Sequence, residues 1–204
     1  MVMGIQRSGT NALFHSLEKD ARFEAFNENH PDVFKDFYLK SFEEVSSVID
    51  GLQKPVLLKP ISETSRGSLA DLMATYRRYE LHVLWIYRDP VNQIYSHGKH
   101  HENQGFSVPL DWYMDDYNQR NQKLLEVLED SGSMITVVGY EHLCASRNVF
   151  KALCEKLKVA GGYLFREDSN SGYTGLEETT IARIKRETRD TFEQLNRADS
   201  FVPG

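Results

Sequence analysis

The 204-residue chain has little of several things that would narrow its class at once. It holds two cysteines, Cys144 and Cys154, ten apart in one loop-and-helix stretch. That is too few and too local for a disulfide framework or a thiolate zinc site, and both read as reduced and structural. The longest apolar runs are Val56–Leu58, Val83–Tyr87 and Ile135–Val138, far below the roughly 20 residues that a membrane-spanning helix needs. Met1–Ile5 lacks the basic region and cleavage pattern of a signal peptide. The expectation is a cytoplasmic protein with no membrane partner, and the abrupt start inside a strand leaves open whether the natural chain is longer. An excess of basic charge is also missing. Lys and Arg number 24 against 30 Asp and Glu, a net charge of −6, which argues against a nucleic-acid partner. Any anion bound here must be met by basic groups gathered locally. No repeat, low-complexity tract or Pro/Gly/Ser linker divides the chain, so 1–204 reads as one domain. A chain of this size can bury roughly 70% of its unfolded surface without a staple.

What is present is an alternation of short apolar runs with amphipathic stretches. The runs Met1–Ile5, Phe23–Phe26, Pro55–Lys59, His82–Tyr87 and Met134–Tyr140 have the composition of buried parallel strands. Helices are predicted from Thr10 with Leu13 and Leu17 on one face, around Leu69–Tyr76, and from Pro90 behind Asp89 as N-cap. Further helices are predicted along Tyr117–Leu128, after Ser146, and over a last stripe from Ile181 to Leu195, with Thr174 and Glu177 as its capping box. The pattern implies a three-layer α/β/α fold, P-loop-like, around a central, mostly parallel five-stranded sheet. In such folds ligands sit at the carboxyl ends of the strands, so the residues following each strand decide the function.

The first strand runs into Gly4-Ile5-Gln6-Arg7-Ser8-Gly9-Thr10-Asn11, a tight loop opening a helix, which is the build of a phosphate cradle. Gly4-x4-Gly9 starts like a nucleoside-triphosphate loop. Thr10 and Asn11 then stand where that loop needs Lys and a magnesium-binding hydroxyl, while a cation, Arg7, lies inside the loop. A smaller anion held by Arg7, the amides, Ser8 and Thr10 fits better than a metal-bound triphosphate. The alternative is a Gly9 that only makes a turn. The fourth strand ends in Arg88-Asp89-Pro90, and Asn92, Ser96 and His100 then share one helix face. The alternative for Arg88 is an ion pair with Asp89.

Taken together, Arg7-Ser8-Gly9-Thr10 after the first strand, Arg88-Asp89-Pro90 with Ser96 eight residues on, and Tyr140-Glu141-His142-Leu143 before a helix resemble the sulfotransferases that use 3′-phosphoadenosine 5′-phosphosulfate. The resemblance runs from about residue 1 to about residue 158 and implies direct in-line transfer of a sulfuryl group to an acceptor hydroxyl or amine. The acceptor would be a small molecule or a saccharide, and the product adenosine 3′,5′-bisphosphate, with no metal. It implies that Arg7, Ser8, Gly9, Thr10 and Asn11 hold the phosphosulfate and that Arg88 and Ser96 hold the 3′-phosphate. Lys59, at the end of the third strand, would stabilise the bridging oxygen beside Arg7. Glu28 would be the base, with His30 as runner-up. The cytosolic branch of the family has a His just after that Lys, where this chain has Pro60 and Ile61. That branch also stacks a Trp on adenine where this chain has Ala12, which leaves Tyr140 for the contact. The resemblance would match that branch's late Arg-Lys-Gly element, which helps hold the 3′-phosphate, to Phe165-Arg166-Glu167, where Glu167 replaces the second cation and no Gly follows.

His97, His100 and His101 lie within five residues, two of them at the i, i+4 spacing of zinc proteases, without the intervening Glu or a third ligand. They read as a polar helix face lining the acceptor cleft, as plain exposed side chains, or as a metal site. The loop from Glu102 to Pro109 reads as a cover for the acceptor. Two other readings stay open: a P-loop small-molecule kinase or phosphotransferase, and a nucleotide-binding protein without catalysis. Acceptor identity and oligomeric state are not legible here.

Overall fold

The computed structural model describes residues 1–166 and 175–201. Strand β1 (Val2–Gly4) leads into helix α1 (Thr10–Leu17), then β2 (Glu24–Phe26), a hairpin of β3 (Phe34–Lys35) and β4 (Tyr38–Leu39), and α2 (Phe42–Asp50). Next come β5 (Val56–Leu58), α3 (Glu63–Arg66), α4 (Leu69–Thr75) and β6 (Val83–Tyr87). The long helices α5 (Pro90–Asn103) and α6 (Leu110–Ser131) precede β7 (Ile135–Gly139), α7 (Tyr140–Ala145) and α8 (Arg147–Leu157). Helices α9 (Glu178–Glu187) and α10 (Arg189–Ala198) follow.

All five strands read from the sequence are present and pair in parallel. They hydrogen-bond as two ladders, β1-β6-β7 and β2-β5, and the β3-β4 hairpin is antiparallel. Alternating side chains send β1, β6 and β7 into two cores. Met3, Trp85, Tyr87 and Val137 face Val91, Ile94, Tyr117, Leu124, Ile184 and Leu195. Val2, Leu84, Ile86 and Val138 face Leu13, Phe14, Leu17, Leu143, Phe150 and Leu153. Helices therefore cover both faces, which makes the three layers. A third apolar cluster, with Phe26, Phe34, Val45, Leu58 and Tyr76, joins β2-β5 to the hairpin and α2.

The starts of α2, α5 and α8 follow the capping rules. Asp89 accepts from the Asn92 amide with Pro90 in the first turn, and Ser146 accepts from the Asn148 amide. Ser41 and Glu44 form a full capping box on α2. Thr174 lies outside the described residues, and Glu177 stands at the N-cap position of α9 without a side-chain cap. The stripe from Ile181 to Leu195 is two helices, a correction to the single helix its spacing implies. The chain bends at Thr188, whose buried hydroxyl donates to Ile184 O at 2.7 Å. Such back-bonding competes with the helical ladder and bends it.

Candidate functional site

Strand register assembles the site. Gly4 pairs with Ile86, so the loop after β1 emerges beside Arg88. Tyr87 pairs with Gly139, so Arg88 emerges beside Tyr140. Phe26 pairs with Leu58, so Glu28 and Lys59 leave neighbouring strand ends, tied by Lys59 N–H to Phe26 O at 3.1 Å. These ends open on a cleft of about 660 Å³ lined by Arg7, Gly9, Thr10, Asn11, Glu28, Arg88, Ser96 and Tyr140, among others. A second cleft of about 630 Å³, mostly apolar, lies at the opposite ends of the strands, among Val56, Leu81, His82 and Met134.

The loop after β1 is shaped for close approach. Gly9, at φ 101°, is the N-cap of α1, and an added Cβ would overlap the Tyr140 ring. The first intrahelical bond is Leu13 N–H to Gly9 O at 3.0 Å. The amides ahead of it are the orphan donors of a helix start. Arg7 holds a positive φ of 66°, and its Nε donates to Ser96 Oγ at 3.2 Å. Arg88 Nη1 donates to Arg7 O at 3.3 Å. The two expected anion-binding groups thus meet through Arg7. Ser8 is fully buried and donates its hydroxyl to Ile5 O at 2.7 Å. It braces the loop, a correction to its reading as a donor facing an anion.

Arg88 is 8% exposed, with its guanidinium carbon 4.7 Å from the Tyr140 ring centre. Asp89 caps α5, accepting from Asn92 N–H at 3.0 Å. Glu141 stands beside Arg88, with Oε1 3.8 Å from Arg88 Nε and Oε2 accepting from Asp89 N–H at 3.2 Å. Burial raises the Glu141 carboxyl above its usual range. Tyr140 packs between Gly9, Arg88 and Phe165.

Lys59 is almost wholly buried, donates to Asn11 Oδ1, and sits 2.5 Å from Glu28 Oε2. Both partners line the cleft, and Lys59 lies behind them. His30 is turned away, its ring edge-on to Phe26 at 4.7 Å and its Nδ1 accepting from Asp32 N–H. Arg166 is exposed, and Glu167 lies outside the described residues.

The three histidines separate. His100 and His101 line the cleft with Gln104, and His101 Nδ1 is hydrogen-bonded to Tyr113 Oη at 3.0 Å. His97 is buried among the rings of His101, Trp112 and Tyr113. Among the described residues no group of three His, Cys, Asp or Glu is arranged to hold a metal. Burial, then the neighbouring His101 and Arg120, lower the His97 pKa to about 3. In the unfolded chain a His titrates near 6.5. Stability from a neutral buried His97 is complete above that pH and is lost as pH falls toward about 3, at up to ~1.4 kcal/mol per pH unit. Urea unfolding between pH 7.5 and 4.5 should show a shallower acid loss in His97→Gln than in the natural protein. Parallel curves would contradict this account.

Three groups were missed in the sequence. Arg120, buried on α6, donates to Ile61 O at 2.5 Å and Thr64 Oγ1 at 2.9 Å, and so holds the loop that follows Lys59. Its signal is its place on the Tyr113, Tyr117, Leu124 face. Asp199 accepts from Gly139 N–H at 2.7 Å, from Tyr87 Oη at 3.0 Å, and contacts His142 Nδ1 at 2.8 Å. It clamps the ends of β6 and β7, and nothing local in the sequence announces it. The third is the hairpin tip, where Asp36, Phe37 and Tyr38 line the cleft.

The sequence matches no protein-family model and no curated protein sequence. Solved structures do match. A sulfotransferase from Alicyclobacillus acidocaldarius superposes with a TM-score of 0.66 at 16% identity, covering 96% of this chain and 94% of that one. The mouse sulfotransferase SULT7A1, solved with PAP, superposes with a TM-score of 0.56 at 14% identity. That match covers 92% of this chain, which spans 62% of the mouse protein's length. The chain thus shares the fold of these two sulfotransferases.

Proposed function

We propose that the protein is a sulfotransferase that moves a sulfuryl group from 3′-phosphoadenosine 5′-phosphosulfate to an acceptor hydroxyl. The observation that carries this reading is the gathering at one set of strand ends of two anion-binding elements and a cation–carboxylate pair. The elements are the Arg7–Asn11 loop and Arg88 with Ser96, and the pair is Lys59–Glu28. The mouse neighbour was solved with PAP, the nucleotide such a donor leaves behind.

The residues fit the donor. Gly9 lets the Tyr140 ring pack directly against the loop, and the helix-start amides present donors beside it. Arg7 and Arg88 supply charge at two places joined through the Arg7 carbonyl. A nucleotide with phosphate at both ends needs two such places. In the transfer, the acceptor oxygen bonds to sulfur as the bond from sulfur to the bridging oxygen breaks. The electron pair stays on the phosphate of the departing bisphosphate. Lys59, with a third N–H beyond those facing Asn11 and Glu28, meets that charge, and Glu28 takes the acceptor proton.

Titration calorimetry with adenosine 3′,5′-bisphosphate, repeated with ATP and magnesium, tests the reading. Binding of the bisphosphate without binding of ATP is the expected result. The reverse pattern would replace the reading with a kinase. In Arg88→Ala the bisphosphate should bind about 1.5–3 kcal/mol more weakly through loss of charged hydrogen bonds. Unchanged affinity would remove Arg88 from the site.

A further inference from the structure

The tip of the β3-β4 hairpin is built against its own conformational preference. The register Phe34↔Leu39 and Lys35↔Tyr38 leaves two residues, Asp36 and Phe37, to turn the chain. Both have positive φ, 51° and 68°. A two-residue turn of this kind favours Asn-Gly or Asp-Gly, and a bulky side chain in the left-handed region is an outlier kept only where its surroundings impose it. The base of the hairpin supplies that constraint. Phe34 is buried in the third cluster, Lys40 N–H donates to Val33 O at 2.9 Å, and Leu39 N–H donates to Glu63 Oε1 at 2.7 Å.

Packing does not explain the residue at the tip. Phe37 is 57% exposed, belongs to none of the three apolar clusters, and pairs with no aromatic ring among the described residues. It does line the same cleft as Glu28, together with Ile61, Ser62, His100 and His101. A strained, uncovered aromatic ring in the cleft that holds the proposed base is accounted for by a ligand that covers it.

We infer that Phe37 is a specificity-determining contact for the acceptor, its ring laid against an apolar face of the molecule whose hydroxyl reaches Glu28. The name "acceptor" rests on the sulfuryl-transfer reading, but the contact does not. The left-handed backbone costs folding stability, and the exposed ring returns that cost as acceptor affinity. Phe37→Gly relieves the turn and deletes the ring, so stability and affinity should move in opposite directions.

The test uses 2-naphthol as the probe, followed by its fluorescence on the full chain with and without saturating adenosine 3′,5′-bisphosphate. Phe37→Gly should weaken naphthol binding by about tenfold or more, leave bisphosphate affinity unchanged, and keep or raise the thermal midpoint. Phe37→Leu keeps an apolar contact and should lose less than the glycine variant. The inference is overturned if the natural protein does not bind naphthol, if the glycine variant binds it equally well, or if that variant's midpoint falls by many degrees. Failure of the bisphosphate to bind the natural protein would count against the donor reading alone, and naphthol binding to the free protein would still decide the role of Phe37.

Discussion

Lys59→Met should lower the turnover of sulfuryl transfer by about 10²–10³, the cost of losing one positioned donor to a charge that develops in the transition state. Three features make the expected loss large. The ammonium is 3% exposed, so no bulk water replaces it. It is held from two sides by Asn11 and Glu28, which fixes where its remaining proton points. Its removal also takes away the ion-pair partner that lies 2.5 Å from Glu28 Oε2, so the carboxylate is no longer held in place. The measurement is initial-rate kinetics with a hydroxyl acceptor, alongside calorimetry with the bisphosphate. Turnover within threefold of the natural protein would remove Lys59 from the reaction. A collapse in bisphosphate affinity with turnover preserved at saturation would make it a binding group only.

Gly9→Ala should weaken the bisphosphate by about tenfold or more and lower the thermal midpoint. Two effects add. An alanine at φ 101° pays a left-handed penalty of about 1–2 kcal/mol, equivalent to roughly 2–8 °C in a chain of this size. The methyl group would also overlap the Tyr140 ring, which packs against Arg88 at 4.7 Å and against Phe165 at 5.8 Å. The ring must turn, and Arg88 moves with it. Differential scanning calorimetry and bisphosphate titration read the two effects separately. A variant that matches the natural protein in both would show that the turn at Gly9 has slack the geometry does not suggest.

The parts of this molecule legible in the sequence are those whose causes are local. Parallel strands announce themselves as short apolar runs, and Asp89-Pro90 and Ser146 cap helices by chemistry contained within four residues. The Arg7–Asn11 loop and Arg88 stand out as residues that follow strands, and Ser96, Glu28 and Lys59 through the resemblance to sulfotransferases; the strand ends bring these segments together, while their roles are those proposed above. The pairing of Lys59 with Glu28 was not visible, since it depends on the register of β5 against β2. Arg120, Glu141 as the neighbour of Arg88, and Asp199 were missed for the same reason. Each acts across 50 or more residues of sequence. The hairpin escaped notice because its turn uses Asp-Phe in place of a glycine pair. The bend at Thr188 shows the converse, a local hydroxyl overriding a continuous apolar stripe.

The Asp199 clamp has a consequence for the order in which the molecule is made. The carboxylate that fastens Gly139, Tyr87 and His142 lies 60 residues beyond Gly139 in the chain. During synthesis, the strand ends that carry Arg88 and Tyr140 leave the ribosome well before the group that ties them together. A nascent chain that has not yet extruded residue 199 lacks this fastening, and one stalled short of α10 also lacks Leu195, which completes the first core. The cleft therefore acquires its Arg88 end only as translation reaches α10, together with the closing piece of the core behind it.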